Sequence, residues 1–315
     1  MITNTTDHII SFYELLHWYE KERTAIDVTN LCKYWVNELD EYLGWIGNSE
    51  LIVIWAQTWV WKSELAYNIW ISNAKRWKKV LLFALEWDLS EIASRWLQKE
   101  ISEIEKIWTI DFRFNTNRVH KVYVDNILQS IEIEKWEWKH RSENLLVFNK
   151  KDIPTFEFIA ELIELFRDQV DMIIIDHLHY IDFWDRSNEI EAISKVMRKI
   201  KVMTDTIKKP VILVSHLKKP DKERDPTVFD LYGSSNIAKE ATTILLLSRC
   251  EVSYMENKEN YKDLVWTKIQ IAKSRAWLPV PSYFEFSYSL SKKSFIKWVL
   301  LEWSRARESD KIVLS

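Results

Sequence analysis

Residues Ala56–Ser63 read AQTWVWKS. They follow a short apolar run, Leu51–Ile54, and lead into a segment of helical spacing that starts near Lys62. Strand, tight loop and helix are the setting of a phosphate-binding loop: Ala or Gly, four variable positions, then Gly, Lys, and Ser or Thr. Ala56 opens that pattern, Gln57, Thr58, Trp59 and Val60 are its variable positions, and Lys62 and Ser63 close it. The required glycine falls on Trp61. Such a loop works by turning backbone N–H groups inward around the phosphates, and glycine allows the φ angles and the close approach involved. An indole at position 61 fills the place of the phosphate.

Composition resolves the conflict. The 315 residues hold 18 tryptophans and 3 glycines. Average usage of roughly 7% predicts about 22 glycines, and the two residue types together number 21 here. The tryptophans also stand where glycine belongs, in loops and at element ends: Trp77 before an apolar run, Trp184 after Ile-Asp-Phe, Trp277 just before a Leu-Pro pair. The pattern is that of a source that reads UGA as glycine, written under a code that reads UGA as tryptophan. We therefore expect glycine in the cell at many of these positions, Trp55, Trp59, Trp61 and Trp277 among them. Trp18 and Trp96 lie within helical spacing, which suits either reading. The rival, a chain whose tryptophans are all real, would have kept Lys62 and Ser63 beside two neighbours that ruin their use.

The length suits one large domain or a domain with an appendage. With 47% hydrophobic and 29% charged residues the chain can bury a sizeable core. A net charge of −3 excludes nucleic-acid binding by global charge and leaves it to local patches. Cys32 and Cys250 are far apart, without metal-ligand spacing, and read as packing residues of a reducing compartment. The N-terminus lacks the basic and apolar regions of a signal peptide, and no apolar run approaches the roughly 18 residues of a membrane span. A soluble, cytoplasmic protein without a membrane partner is expected.

Residues 8–22 carry Ile9, Phe12, Leu15, Leu16 and Tyr19 at helical spacing, and Thr24–Val36 reads as a linker. Beyond them, apolar runs at Leu51–Ile54, Val80–Leu85, Leu145–Phe148, Met172–Asp176, Val211–Ser215 and Thr243–Ser248 alternate with helical segments at 62–75, 88–106, 154–168 and 188–207. Several runs are apolar at every position, as parallel strands buried on both faces are. That alternation predicts an α/β fold with a mostly parallel sheet flanked by helices. Lys268–Ala272, Ser282–Phe286 and Ser294–Val299 alternate more and lack intervening helices, which predicts an antiparallel C-terminal extension. Residues 108–143 read as a charged surface insertion. The expected division is 1–30 as helix and linker, 31–305 as the ATPase domain and 306–315 as a tail.

Four further sites carry chemistry. Met172–Asp176 is an apolar strand ending in an acid, the pattern of a metal-holding aspartate; on its own, many buried strands end so. Glu86 closes the second strand, where a carboxylate can activate water, or simply be a solvated strand-end acid. His216 follows a buried strand and either senses a phosphate or sits in a polar loop. Lys273 and Arg275 are two apart, so on a strand they share a face and can aim at one phosphate or at water.

In this order, AQTWVWKS, FALEWD, MIIIDHLHYID, the stretch VILVSHLKKPDKERDPTVFDLYGSSNIAKEATTILLLSR and KIQIAKSRAWLPVPSYFEF resemble the RecA-like motor of DnaB-type hexameric replicative helicases. The helicase halves of phage helicase–primases and of Twinkle look most similar. The resemblance covers roughly residues 31–300 and extends to neither a primase domain nor a DnaB-type N-terminal domain. YWVNELDEYLGWI resembles the family's lead-in, with Trp35 and Trp45 at glycine positions.

The resemblance implies an ATP- and Mg²⁺-dependent helicase of 5′–3′ polarity, working as a homo-hexamer on single-stranded DNA, with a separate primase or loader as a further partner. It assigns Lys62 and Ser63 to the phosphate loop, Glu86 to catalysis, Asp176 with Ser63 to the metal, His216 to sensing the γ-phosphate, and Lys273 and Arg275 to a finger reaching the neighbouring subunit's ATP. Helix 8–22 takes the place of the family's linker helix. Two stretches correspond to DNA-contacting loops: Asp185–Glu189, with Arg186, and Lys218–Asn236. The second contains Lys218, Lys219, Lys222, Arg224, Gly233, Ser234, Ser235 and Asn236. Two positions depart from the family pattern: Tyr232, usually arginine, and His179, commonly glutamine. Two rivals remain at this point: a RadA- or KaiC-like RecA-type ATPase, and a non-catalytic DNA-binding or scaffold protein should every tryptophan be real.

Overall fold

The computed structural model describes residues 16, 31–56, 62–104, 143–148, 152–182, 189–216, 226–228, 234–249, 264–275, 280, 282–289 and 294–301. The chain divides into two compact units, Met1–Leu31 and Cys32–Ser315. In the first, Leu16 is helical; the rest of the expected helix 8–22 lies outside the described residues.

The second unit is built on one sheet. Its described strands are β1 (Leu51–Ala56), β2 (Val80–Ala84), β3 (Leu145–Val147), β4 (Met172–Asp176), β5 (Val211–His216), β6 (Thr243–Arg249), β7 (Leu264–Ser274), β8 (Ser282–Ser289) and β9 (Ser294–Leu301). Their spatial order is β3-β2-β4-β5-β1-β6-β7-β8-β9. From β3 to β6 neighbouring strands run parallel, and from β6 onward antiparallel. The described helices are α1 (Asn37–Leu43), α2 (Lys62–Lys75), α3 (Leu89–Ile104), α4 (Phe156–Phe166), α5 (Glu189–Ile207) and α6 (Ser234–Glu240). This is the expected mostly parallel α/β sheet with an antiparallel extension.

β1, β2 and β4 are buried at every position, because each is covered on both faces. Alternate residues of β1 feed two separate cores. Ile52 and Ile54 pack with Leu65, Ile69 and Trp70 of α2, and with Phe284 and Phe286 of β8. Leu51, Val53 and Trp55 pack with Ile159 and Ile163 of α4, Ile193 and Met197 of α5, and Ile237 of α6. Thr155 starts α4 by accepting the Phe158 N–H at 3.2 Å, so one orphan donor of the first turn is satisfied.

The expected linker, Thr24–Val36, ends inside the core. Cys32, Tyr34 and Val36 are buried, Cys32 pairs with Ile46, and the Tyr34 N–H donates to Asp40 Oδ1 at 2.7 Å. Helices α1 and α6 carry no sequence signal strong enough to announce them, since each is seven residues long. The expected surface insertion at 108–143 lies almost wholly outside the described residues, as do the tail and most of the phosphate loop.

Backbone angles sort the tryptophans. Trp35 and Trp77 have φ of 80° and 64°, in the left-handed region where a bulky residue is an outlier. Both are positions the sequence assigns to glycine. Trp55 differs: it lies in regular strand and is fully buried, so its backbone makes no demand for glycine.

Candidate nucleotide and catalytic site

β1 ends at Ala56 and α2 begins at Lys62. The five residues between them, Gln57–Trp61, lie outside the described residues. On either side, the register places the ends of the parallel strands at one edge of the sheet: Ala56 pairs with His216, and Ala84 with Asp176. In an open parallel sheet, ligands bind in the crevice beyond these carboxyl ends.

Four expected residues meet there. The Lys62 ammonium lies 3.8 Å from Glu86 Oε2. Ser63 Oγ donates to Asp176 Oδ1 at 3.2 Å. Lys62, Ser63 and Asp176 are buried, and Glu86 is exposed. Burial lowers the Lys62 pKa, against the pull of Asp176 and then Glu86 toward the charged form. Burial likewise pushes the Asp176 carboxyl up to about 6, opposed by Lys62 and the Ser63 hydrogen bond and reinforced by Glu86. A desolvated acid beside a hydroxyl is a hard-oxygen donor set, the kind a small divalent cation prefers. The residues present thus fit Mg²⁺, which Ser63 and Asp176 would hold.

His177, which the sequence reading passed over, also belongs to this edge. It follows Asp176 with φ 85° and ψ 75°. Its Nε2 lies 3.9 Å from Glu86 Oε2, and its ring stands edge-on to Tyr180 at 4.4 Å. His179, the departure from the family pattern, has Nδ1 3.4 Å from Ser215 Oγ, one residue before His216.

Glu64, the other acid near the loop, is engaged elsewhere. It is buried and ion-paired with Arg95 of α3. Arg95 also binds Glu91 Oε1 at 2.9 Å and lies over the Trp87 ring at 4.1 Å. Lys99, one turn on, bonds Asn68 of α2. This buried polar seam fixes α3 to the first turns of α2, and the one available sequence signal was the helical spacing of Glu91, Arg95 and Lys99.

His216 ends β5 at this same edge, and the finger pair lies elsewhere. Thr243 pairs with Ile52 of β1 and with Ser274 of β7. Lys273 and Arg275 therefore stand at the opposite edge of the sheet. Ala56 lies four steps along β1 from Ile52, about 13 Å at roughly 3.3 Å per residue. Arg275 is exposed at the end of β7. Ser234, Ser235 and Asn236 form the first turn of α6. Arg186, Lys218, Lys219, Lys222, Arg224, Tyr232 and Gly233 lie outside the described residues.

A phosphate-loop lysine and serine opening a helix, a strand-end aspartate bonded to that serine, and an acid at the same sheet edge define a RecA-like P-loop ATPase fold. The chain matches the family of the DnaB-like helicase C-terminal domain over residues 33–287, and it belongs to that family. It is similar to a probable replicative DNA helicase of Trieres chinensis, 26% identical over 76% of this chain and 51% of the relative. The replicative DNA helicase DnaB of Geobacillus stearothermophilus is 24% identical over 86% and 57%. The chain thus spans about half the length of these relatives. Among solved structures, one isolated ATPase domain superposes with a TM-score of 0.66, at 17% identity, covering 93% of this chain and 99% of that one. A DnaB-like replicative helicase, solved for its interactions with primase, gives 0.68 at 20% identity, over 91% and 67%. At these identities the superpositions speak for the fold.

Proposed function

We propose that this chain is the motor of an ATP-driven replicative DNA helicase that works as a hexameric ring on single-stranded DNA. One observation carries the ring: a chain whose phosphate site is at one sheet edge and whose exposed Arg275 is at the other cannot bring the two together itself. A heterologous contact between copies can, and six such contacts close a ring.

Bound Mg²⁺–ATP supplies the anhydride bond whose hydrolysis drives movement. Lys62 would bind the β- and γ-phosphates, and Ser63 and Asp176 would hold the cation. Glu86 orients and deprotonates the attacking water, with His177 beside it. Glu64 pairs with Arg95 instead. His216 senses the γ-phosphate, and Arg275 stabilises charge on the neighbour's transferring phosphoryl group. Arg186, Lys218, Lys219, Lys222 and Arg224, with the Gly233–Asn236 backbone, track the phosphates of the strand. The expected setting is the cytoplasm, beside a separate primase or loader, with 5′–3′ translocation.

The role requires glycine at 59 and 61, so the test begins with the native molecule. Mass spectrometry of native peptides across 55–61 is expected to show glycine masses at 59 and 61, and indole masses there would end the ATPase reading. Purified native protein is then expected to displace a strand from a 5′-tailed duplex in the presence of ATP. A preference for 3′-tailed duplex overturns the polarity alone, and no displacement from either overturns the helicase.

A further inference from the structure

Glu64 stands where a second anion is least expected. It follows Lys62 and Ser63 in the first turn of α2, the helix end that a phosphate loop turns toward its ligand. The dipoles of that end favour negative charge, but the charge they are there to meet is the phosphate's. The Glu64 side chain is only 3% exposed, so water screens it little. Among the described residues its Oε2 has no hydrogen-bond partner. A carboxylate desolvated in this way needs a cation beside it.

Arg95 of α3 is that cation. It ion-pairs through Nη1 with Glu64 Oε1. Its Nε and Nη2 both donate to Glu91 Oε1, at 3.3 and 2.9 Å, so the guanidinium is held from two sides. Burial lowers its pKa, while Tyr288 and then Asp176 oppose the shift. A guanidinium keeps its charge all the same, and the field of this one reaches the aspartate of the nucleotide edge.

Other bonds join the same two helices without touching Glu64. Tyr67 Oη donates to Ile92 O at 2.5 Å, and Lys99 bonds Asn68. These hold α3 on α2 independently of Arg95. What Arg95 adds is therefore charge. Acids already crowd this corner: Asp88 and Glu86 both act on Glu91, and Glu86 and Asp176 both act on Lys62. A triphosphate brings more negative charge to it.

We propose that Arg95 is a positioning residue of the nucleotide site: it cancels the Glu64 charge in the first turn of α2, so that this turn accepts a triphosphate. The inference rests on reading Lys62 and Ser63 as that site.

The test uses the chain with glycine at 59 and 61, and compares the Kd of ATP with that of ADP by equilibrium dialysis. A unit charge about 10 Å from a phosphate charge, at an effective dielectric constant near 20, changes affinity roughly tenfold. Arg95→Met, which removes the charge and keeps the bulk, is expected to weaken ATP by about that factor. ADP loses less, because it lacks the γ-phosphate charge. Glu64→Gln is expected to shift ATP the other way, toward tighter binding. The double variant returns ATP to within about threefold of the parent, since a buried pair removed whole leaves no orphan charge. Arg95→Lys, which keeps the charge, also stays near the parent. Should Arg95→Met not fold with Glu64 left unpaired, Glu64→Gln and the double variant read the same effect. Unchanged ATP affinity in Glu64→Gln and in Arg95→Met overturns the proposal. Equal losses for ATP and ADP that persist in the double variant make Arg95 a mere prop for α3, and overturn it too. A glycine parent that binds neither nucleotide is a distinct result: it removes the nucleotide reading itself, and the proposal with it.

Discussion

From β3 to β6 and from β7 to β9, the sheet follows two different rules. In the parallel half, β1, β2 and β4 are enclosed on both faces. Polar chemistry there is confined to strand ends, and Lys62, Ser63, Glu86 and Asp176 gather at one edge. In the antiparallel half burial alternates: Phe284, Phe286 and Tyr288 are buried, while Tyr283 and Glu285 are half-exposed. A strand with one wetter face can carry cations along its length, and β7 carries Lys268, Lys273 and the adjoining Arg275. The parallel half thus builds a site for its own chain. The antiparallel half presents a cation that this site cannot use.

The largest expected effect tests the parallel half alone. The chain as written, with indoles at 59 and 61, is expected to bind no ATP by equilibrium dialysis. Glycine at 59 and 61 restores binding. Tight binding by the unaltered chain would refute the steric argument.

Next comes the relation between the halves. Arg275→Ala is expected to bind ATP and assemble, yet to lose roughly 10³–10⁵ in hydrolysis rate, the worth of an arginine finger elsewhere. Mixing it with Lys62→Ala, itself inactive, should return activity, because mixed rings hold intact Lys62 facing intact Arg275. Added salt should weaken the DNA stimulation of that activity. Mixed rings that form and stay inactive would break the comparison, as would full activity in a monomer.

Within the parallel edge, Glu86→Gln is expected to keep ATP affinity and lose about 10²–10⁴ in turnover, the usual worth of a general base. If kcat falls by only a few-fold, Glu86 is a bystander to the chemistry at Lys62.

The two halves also differed in how legible they were. Buried parallel strands write themselves as unbroken apolar runs, and for six of them the sequence located the start. Their ends share one edge, so the meeting of Lys62, Ser63, Glu86 and Asp176 there was accessible from pattern. The antiparallel strands were found but cut short: β7 runs from Leu264 to Ser274, past the expected Lys268–Ala272 at both ends. The register shift that leaves Ala272 unpaired between β6 and β7, and the hydrogen bonds of Lys273 Nζ to the carbonyls of Ala238, Lys239 and Ala241, had no sequence signal, since they depend on pairing with β6 and on a seven-residue helix. His177 was missed for another reason. Its relation to Glu86 exists only because β4 and β2 are neighbours in the sheet, a fact of strand order rather than of spacing.

The smallest expected effect concerns Trp77, at the corner between α2 and β2. α2 ends at Lys75, and the N–H groups of Trp77 and Lys78 return to Ala74 and Asn73 at 3.0 Å each. This is a helix stop with Trp77 at the left-handed position usually held by glycine. Its φ of 64° strains any residue with a Cβ, and its side chain is 55% exposed, so little burial is lost with the indole. Trp77→Gly is therefore expected to stabilise the fold by about 1 kcal/mol, the cost of a left-handed turn in an L-residue. Trp70 is the control. It is buried inside α2, and its indole N–H donates to Val80 O at 3.1 Å. Trp70→Gly is expected to cost about 3–5 kcal/mol through the cavity it leaves. Denaturant midpoints of the two variants decide the matter. Opposite signs mean that backbone geometry sorts the tryptophan positions that need glycine from those that use an indole. Destabilisation at both would mean that Trp77 is held by its side chain, and that its φ says nothing about the residue the cell places there.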